Sequence, residues 1–242
     1  MSDWRDNVEF ILVEPVVSGN IGASARALKN MGFSKLTLIN PPETLTSEAT
    51  WLAHNAMDVL DSARRFPTLG EAIADSALVV ASSRRTGKDR GLILTPKQAA
   101  QRIAEVAEHN KVSILFGREH RGLFNEEVDE CGILINIPTG TEQPSLNLGQ
   151  AVMVIAYELG QFRLDDGSEA SPELAEHEQR DEGFKKSMVI LEQLGYTKEG
   201  RRTIGRSLRM AVKRFFNSVR ISKQDLRKLD GILMRIQKRL GE

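Results

Sequence analysis

Apolar residues along this chain fall into two kinds of run. Short, nearly continuous stretches rich in β-branched residues occupy 8–14 (VEFILVE), 35–40 (KLTLIN), 77–82 (ALVVAS), 112–117 (VSILFG) and 133–137 (ILINI). Unbroken apolarity, in place of strict alternation, predicts strands covered on both faces, as in a parallel sheet. Between them, apolar residues recur at helical spacing over 20–31, 47–54, 68–75 and 96–108, and a longer helix is expected over 146–162. Thr95 as N-cap and Pro96 at the first helical position mark the start of the fourth. Strands alternating with helices predict an α/β fold on a parallel sheet.

Beyond Leu164 the pattern changes. Residues 165–182 include Gly167 and Pro172, show no strand pattern and read as a linker with some helix. Apolar positions then return at helical spacing over 183–194, 201–217 and 222–240, with Ser222 and Asp225 resembling a capping box. The expected organisation is an α/β domain at 1–164, a linker at 165–182 and a small all-helical domain at 183–242.

Charge adds to this division. The 33 basic and 33 acidic residues cancel over the whole chain. They do not cancel locally: 165–182 hold one basic residue against eight acidic, and 183–242 hold 16 against five. A basic helical segment behind an acidic linker points to a polyanionic partner, although a solvated helical surface has the same composition. The single Cys131 excludes an internal disulfide and a zinc site built on several cysteines, so no metal is expected. No apolar run reaches the ~20 residues that cross a bilayer, and the N-terminus lacks a secretion signal. The expectation is a soluble cytoplasmic protein with no membrane partner.

Four segments carry candidate chemistry. Ser18-Gly19-Asn20-Ile21-Gly22, running to Arg26, follows the first strand and enters a helix. Glycines at such a turn let backbone approach a ligand, or let elements pack closely. The spacing is not that of a dinucleotide fingerprint, and no Gly-Lys-Ser/Thr follows for a P-loop. Arg26 could clamp a phosphate or a carboxylate. Leu115 to Leu123 leaves a strand through Gly117, passes Arg118-Glu119-His120-Arg121 and turns at Gly122. Glu119 could shape that loop through backbone amides or act on a substrate, and His120 is a candidate base. In Ser145-Leu146-Asn147, Ser145 or Asn147 could cap the next helix or face a ligand. Residues 82–91, with Arg84, Arg85, Lys88 and Arg90, form a basic loop suited to phosphate contact.

In order and spacing these segments resemble a known family. Asn20-x-Gly22-x-x-x-Arg26, Leu115-x-Gly117-x-Glu119-x-x-Gly122 and Ser145-Leu146-Asn147 with Ala151 match the three signature motifs of the SPOUT (SpoU/TrmH-like) RNA 2′-O-ribose methyltransferases. Glu14, Phe116-Gly117-Arg118-Glu119 and Ser145-Leu146-Asn147-Leu148 are similar to the TrmJ branch, whose members methylate tRNA nucleotide 32. The resemblance covers about residues 8–162.

That resemblance implies a deep trefoil knot, an S-adenosylmethionine cofactor, a tRNA partner and a homodimer whose sites combine both subunits. It implies a catalytic or substrate-orienting role for Arg26; since a guanidinium is a poor base, Ser145 or water is expected to relay the proton. Around the methyl donor it places Ser82, Ser83, Arg84, Gly117, Ile137, Pro144, Ser145 and Leu146. Pro144 departs from the pattern, since TrmJ relatives often carry a small polar residue there. RNA contacts are expected from Asn20, Arg26, Arg84, Arg85 and Glu119, and from Arg201, Arg202 and Arg206 in the tail. Action on another RNA such as rRNA, or RNA binding without catalysis, are the alternative functions.

Overall fold

The structure is a computed structural model. It describes residues 3–84, 92–140, 142, 145–162, 172–196, 202–218 and 221–240, with backbone alone at 202–207. The five expected strands form as β1 (Val8–Val13), β2 (Leu36–Ile39), β4 (Leu78–Ser82), β6 (Val112–Phe116) and β7 (Ile133–Ile135). Two more, β3 (Arg64–Phe66) and β5 (Leu92–Leu94), close the two edges of a seven-stranded sheet ordered β3-β2-β1-β6-β4-β7-β5. Every pairing is parallel. The edge strands escape the apolar pattern for a physical reason. Each has three residues, one neighbour and partial exposure, so neither needs a continuous apolar run.

Helices α1 (Ser18–Asn30), α5 (Pro96–Ala107) and α7 (Leu148–Gln161) cover one face of the sheet. There Phe10, Leu12, Val80, Ile114 and Ile135 meet Ile21, Leu28, Ile103 and Ile155. The other face carries Ile11, Val13, Val79, Leu115 and Leu134, packed with residues of α4 (Leu69–Ile73) and α6 (Asn125–Asp129). Two covered faces explain why the central strands read as unbroken apolar runs. Short helices α2 (Ser47–Ala53) and α3 (Met57–Asp61) lie beside α1. The expected cap of α5 is present: Thr95 and Gln98 exchange side-chain and backbone hydrogen bonds.

One buried charge was invisible in the pattern. Glu9 of β1 is 1% exposed and accepts from Thr37 and Arg64, with Lys111 Nζ at 2.8 Å. A carboxylate at such a depth requires these partners.

In the tail, α8 (His177–Gln193), α9 (Arg202–Phe216) and α10 (Lys223–Leu240) pack around Phe184, Met188, Phe216 and Leu226. The expected linker is shorter than 165–182, because α8 starts at His177 and Leu174 is already buried against Asn110 and Ser222. The reason is that α8 begins on the sheet domain itself. The amides of His177 and Glu178 donate to Ser76 O and Ala74 O at 2.8 and 3.0 Å, and Arg180 Nη2 donates to Ser76 O at 3.2 Å. Asn217 at the end of α9 donates to Asp129 O at 2.7 Å. Ser76, Asn110 and Gly132 precede β4, β6 and β7. The tail therefore docks at the N-terminal edge of the sheet.

Candidate functional site

The opposite, C-terminal edge holds a cleft of about 920 Å³ counted out to open solvent. Clefts at that edge are where open parallel sheets bind ligands. Ser82, Ser83 and Arg84 enter it from the end of β4, and Gly117 to Leu123 from the end of β6. Ile137, Thr139, Ser145 and Leu146 enter from the segment between β7 and α7. Seven of the eight expected donor residues thus share one cleft. Pro144 lies outside the described residues, as do Arg85 and Arg201, and the side chains of Arg202 and Arg206 are likewise not described.

A hydrogen-bonded chain braces this edge and links the three motifs. Glu119 accepts from the amides of Val16 and Val17, both at 3.1 Å, and from Asn20 Nδ2 at 2.9 Å. Asn20 Oδ1 in turn accepts from Asn147 Nδ2 at 2.7 Å. Asn147 caps α7, its Oδ1 accepting from Gly149 N at 2.9 Å while Gln150 returns a bond to Asn147 N. Burial pushes the Glu119 carboxyl up, but the bonds from Asn20 and from backbone amides outweigh it and leave its pKa lowered. Asn20 is itself buried. These bonds turn the polar atoms of Asn20 and Glu119 inward, toward bracing, where the expectation was contact with RNA. Asn147, and not Ser145, is the helix cap, so the exposed Ser145 hydroxyl has no hydrogen-bond partner among the described residues.

The loop after β6 is held just as firmly. A Cβ on Gly117 would fall 2.2 Å from the backbone of Gly122 and Leu123, and Gly122 has φ +67°. Only glycine allows that approach and that turn. Arg118 was not among the expected site residues. Its guanidinium donates to Glu14 at 2.7 Å and to Glu127 at 3.0 Å, and lies 4.0 Å from the Phe124 ring centroid. The Glu14 and Glu127 carboxylates hold it firmly protonated. The signal for it was the run of alternating charge in Arg118-Glu119, but pairing across 104 residues to Glu14 is not a local pattern.

Arg26 is not brought into the cleft. It is exposed on α1 and lines a separate depression with Lys29, Asn30, His54 and Asn55. Nor do the first motif's glycines open toward a ligand. A Cβ on Gly22 would fall 2.0 Å from Ala49 O, and one on Gly19 would fall 2.7 Å from the Glu48 carboxyl. They let α2 lie against α1. Gly149 likewise faces Ala23 across the α1–α7 contact. Among the described residues no group of three or more His, Cys, Asp or Glu could hold a metal ion, and no helix is long and apolar enough to cross a membrane.

A family model described as SpoU rRNA Methylase matches residues 7–157. The chain belongs to the SpoU methylase family. A SpoU relative from Yersinia enterocolitica, tRNA (cytidine/uridine-2′-O-)-methyltransferase TrmJ, is 36% identical over 236 residues, covering 96% of this chain and 92% of that one. The tRNA (cytidine-2′-O-)-methyltransferase TrmJ of Methanocaldococcus jannaschii is 42% identical over 155 residues, covering 63% of this chain and 66% of that one, just under two thirds of its length. Among solved structures, TrmJ from Z. mobilis ZM4 superposes with a TM-score of 0.80 at 32% identity, covering 95% of this chain and 98% of that one. The SpoU resemblance read from three short motifs therefore extends, in the Yersinia and Z. mobilis comparisons, to the helical tail.

Proposed function

We propose that the protein transfers a methyl group from S-adenosylmethionine to a ribose 2′-hydroxyl of tRNA, at nucleotide 32 of the anticodon loop. The observation that carries this reading is the convergence of the second and third motifs on one cleft, braced through Asn20 of the first, in a chain whose TrmJ relatives are named as tRNA 2′-O-methyltransferases. The cleft suits the donor. Phe116, Ile137, Leu146 and Ala151 offer apolar surface for an adenine ring, while Ser82, Ser83, Thr139 and the loop backbone offer polar groups for its edges and ribose.

Bound there, the donor supplies a methyl on a positively charged sulfur, so the protein's task is positioning and removal of one proton. Orientation alone can lower a barrier by ~7–11 kcal/mol. Ser145, exposed at the cleft with its hydroxyl unpartnered among the described residues, relays the 2′-hydroxyl proton, directly or through water. A guanidinium makes a poor base, whereas its planar fork suits Arg26 as a clamp on the adjacent phosphate and the developing alkoxide. Because Arg26 lies outside its own chain's cleft, this reading has it serve the cleft of a second copy, in a homodimer. The deep knot belongs to the same proposal, as do a cytoplasmic location, an α/β domain ending near 164 and a basic helical segment that holds tRNA backbone.

The test is to incubate the full-length protein with methyl-labelled donor, unmodified tRNA transcripts and ribosomal RNA, then map the product by mass spectrometry. Label on the ribose of nucleotide 32 is expected. Label confined to ribosomal RNA, or none despite donor binding, overturns the proposal. Arg26→Lys should lose turnover while retaining tRNA binding, since Lys lacks the planar fork; near-normal turnover counts against the clamp.

A further inference from the structure

The depression around Arg26 has features that the donor cleft does not explain. With Gly22 allowing α2 to press on α1, the end of α2 comes beside Arg26. That end is His54, with φ +50° and ψ −119°, a left-handed conformation in which glycine is the comfortable residue. Backbone of this kind is held by its surroundings and clusters at ligand-binding sites. His54 and Asn55 join Arg26, Lys29 and Asn30 around about 460 Å³, counted out to open solvent like the cleft. Lys29 is already engaged, its Nζ 2.8 Å from Asn55 O and 2.6 Å from Asp58. The side chains of Arg26 and His54 have no hydrogen bond or ion pair among the described residues. Three residues before His54 stands Trp51, 74% exposed, more than any other large apolar side chain among the described residues.

We propose that this depression and Trp51 bind one unpaired nucleotide of the RNA substrate, the indole stacking on its base while Arg26 and His54 hold an adjoining phosphate. The inference rests on the reading of the protein as a tRNA methyltransferase and names a subsite of it. Unpaired loop bases are recognised by stacking on aromatic side chains beside cationic phosphate contacts. A second protein copy seated on Trp51 is the competing occupant. Two donor side chains without a hydrogen-bond partner among the described residues, on a depression three residues along the chain from an exposed indole, favour a ligand that brings both an anion and an aromatic face.

The chain contains two tryptophans, and the other, Trp4, is buried. Tryptophan emission of the full-length protein, titrated with unmodified tRNA transcript, therefore reports on Trp51. Saturable quenching that disappears in Trp51→Phe is expected. Trp51→Ala should raise the KM for tRNA about tenfold, within the usual worth of one stacked base, and Trp51→Phe, which keeps an aromatic face, should recover most of that loss. His54→Gly should raise Tm by releasing the strained backbone and yet weaken tRNA binding; a purely structural residue would not give opposite signs. Emission unmoved by saturating tRNA, or a Trp51→Ala KM within about twofold of the parent, overturns the inference. So does a Trp51→Ala protein whose sedimentation changes while its KM does not, the result expected of a self-interface. Absence of methyl transfer to tRNA by the unsubstituted protein would overturn the parent reading, and the emission titration, which needs no turnover, would still decide this one.

Discussion

The two edges of the parallel sheet are held by different physics. At the C-terminal edge, Glu119, Asn20 and Asn147 form a chain whose donors are backbone and side-chain amides. At the N-terminal edge the tail's amide bonds to Ser76, Ala74 and Asp129 are joined by a charge cluster. Glu130, at the end of α6, pairs with Lys213 at 2.7 Å and His177 at 3.2 Å, and Lys213 also reaches Asp181 at 3.1 Å. Arg180 is 2% exposed beside them, with one bond to Ser76 O. Burial pulls its pKa down to about 10 against the opposing pull of Glu130. Short amide bonds fix relative positions to a fraction of an ångström. A charge cluster tolerates more movement but fails badly when one member is lost. The first suits a site that must hold geometry; the second suits an appended element that can be detached without disturbing it.

The largest test of this contrast is Glu130→Gln. It leaves Lys213 and His177 facing a neutral group, and breaking a buried pair from one side costs about 3 kcal/mol or more. The loss should fall on the tail. Hydrogen exchange of amides in α8 and α9 should accelerate while those of β1 and β6 keep their protection, and donor affinity should hold. If β6 accelerates in parallel, the two edges are one cooperative unit and the contrast is wrong.

The mirror experiment is Glu119→Gln, with a smaller effect. One Glu119 oxygen accepts from Val16 N, and the other from Val17 N and Asn20. A carboxamide keeps one acceptor and turns an N–H₂ group toward a backbone donor. Hydrogen bonds to a charged group are worth about 1.5–3 kcal/mol, so methyl transfer and donor affinity should fall by about 10- to 100-fold, measured by calorimetry and initial rates. Exchange in α8 and α9 should stay put. Loosening of the tail here would show that the two edges communicate.

How far each edge was legible in the sequence follows from the same contrast. The central strands and α1, α5 and α7 were readable because periodicity is local, and their ends fell close to those expected. The three motifs were readable because polar residues at strand ends and helix starts stand out against apolar runs. The meaning of individual motif residues was not. Gly22 suggested a ligand or close packing and serves a helix contact; Glu119 suggested loop shaping through amides or RNA, Asn20 suggested RNA, and the two face each other. Both facts depend on partners 27 and 99 positions away. The charge cluster at the other edge was least legible, because Glu130, His177, Arg180 and Lys213 come from three helices, and 165–182 looked like an acidic linker. Glu9 was hidden by the same non-locality, its partners Arg64 and Lys111 lying in other elements.

Acid should separate the two edges most gently. For Glu130, burial pushes the carboxyl up, but His177 and Lys213 outweigh it and its pKa is lowered below 4.5; Glu119 is lowered too, by Asn20 and backbone amides against the same burial. A carboxylate with a lowered folded pKa contributes stability that is complete above its unfolded pKa and is lost as pH falls through the folded value. Between about pH 8 and pH 5, then, neither carboxylate should change its charge. Below about pH 4.5 their behaviour should diverge. Protonated Glu119 still offers a carbonyl oxygen to Asn20 and the amides, all of them neutral, so its edge weakens slowly and with little response to salt. Protonated Glu130 leaves the buried Lys213 ammonium with Asp181 as its remaining counter-charge, so the tail should loosen first, and added salt should shift that transition. Exchange of α9 and β6 amides, followed from pH 6 down to about pH 3.5 at two ionic strengths, reads both. Loss of α9 protection already between about pH 7 and pH 6 would place the anchoring elsewhere than in the Glu130 carboxylate.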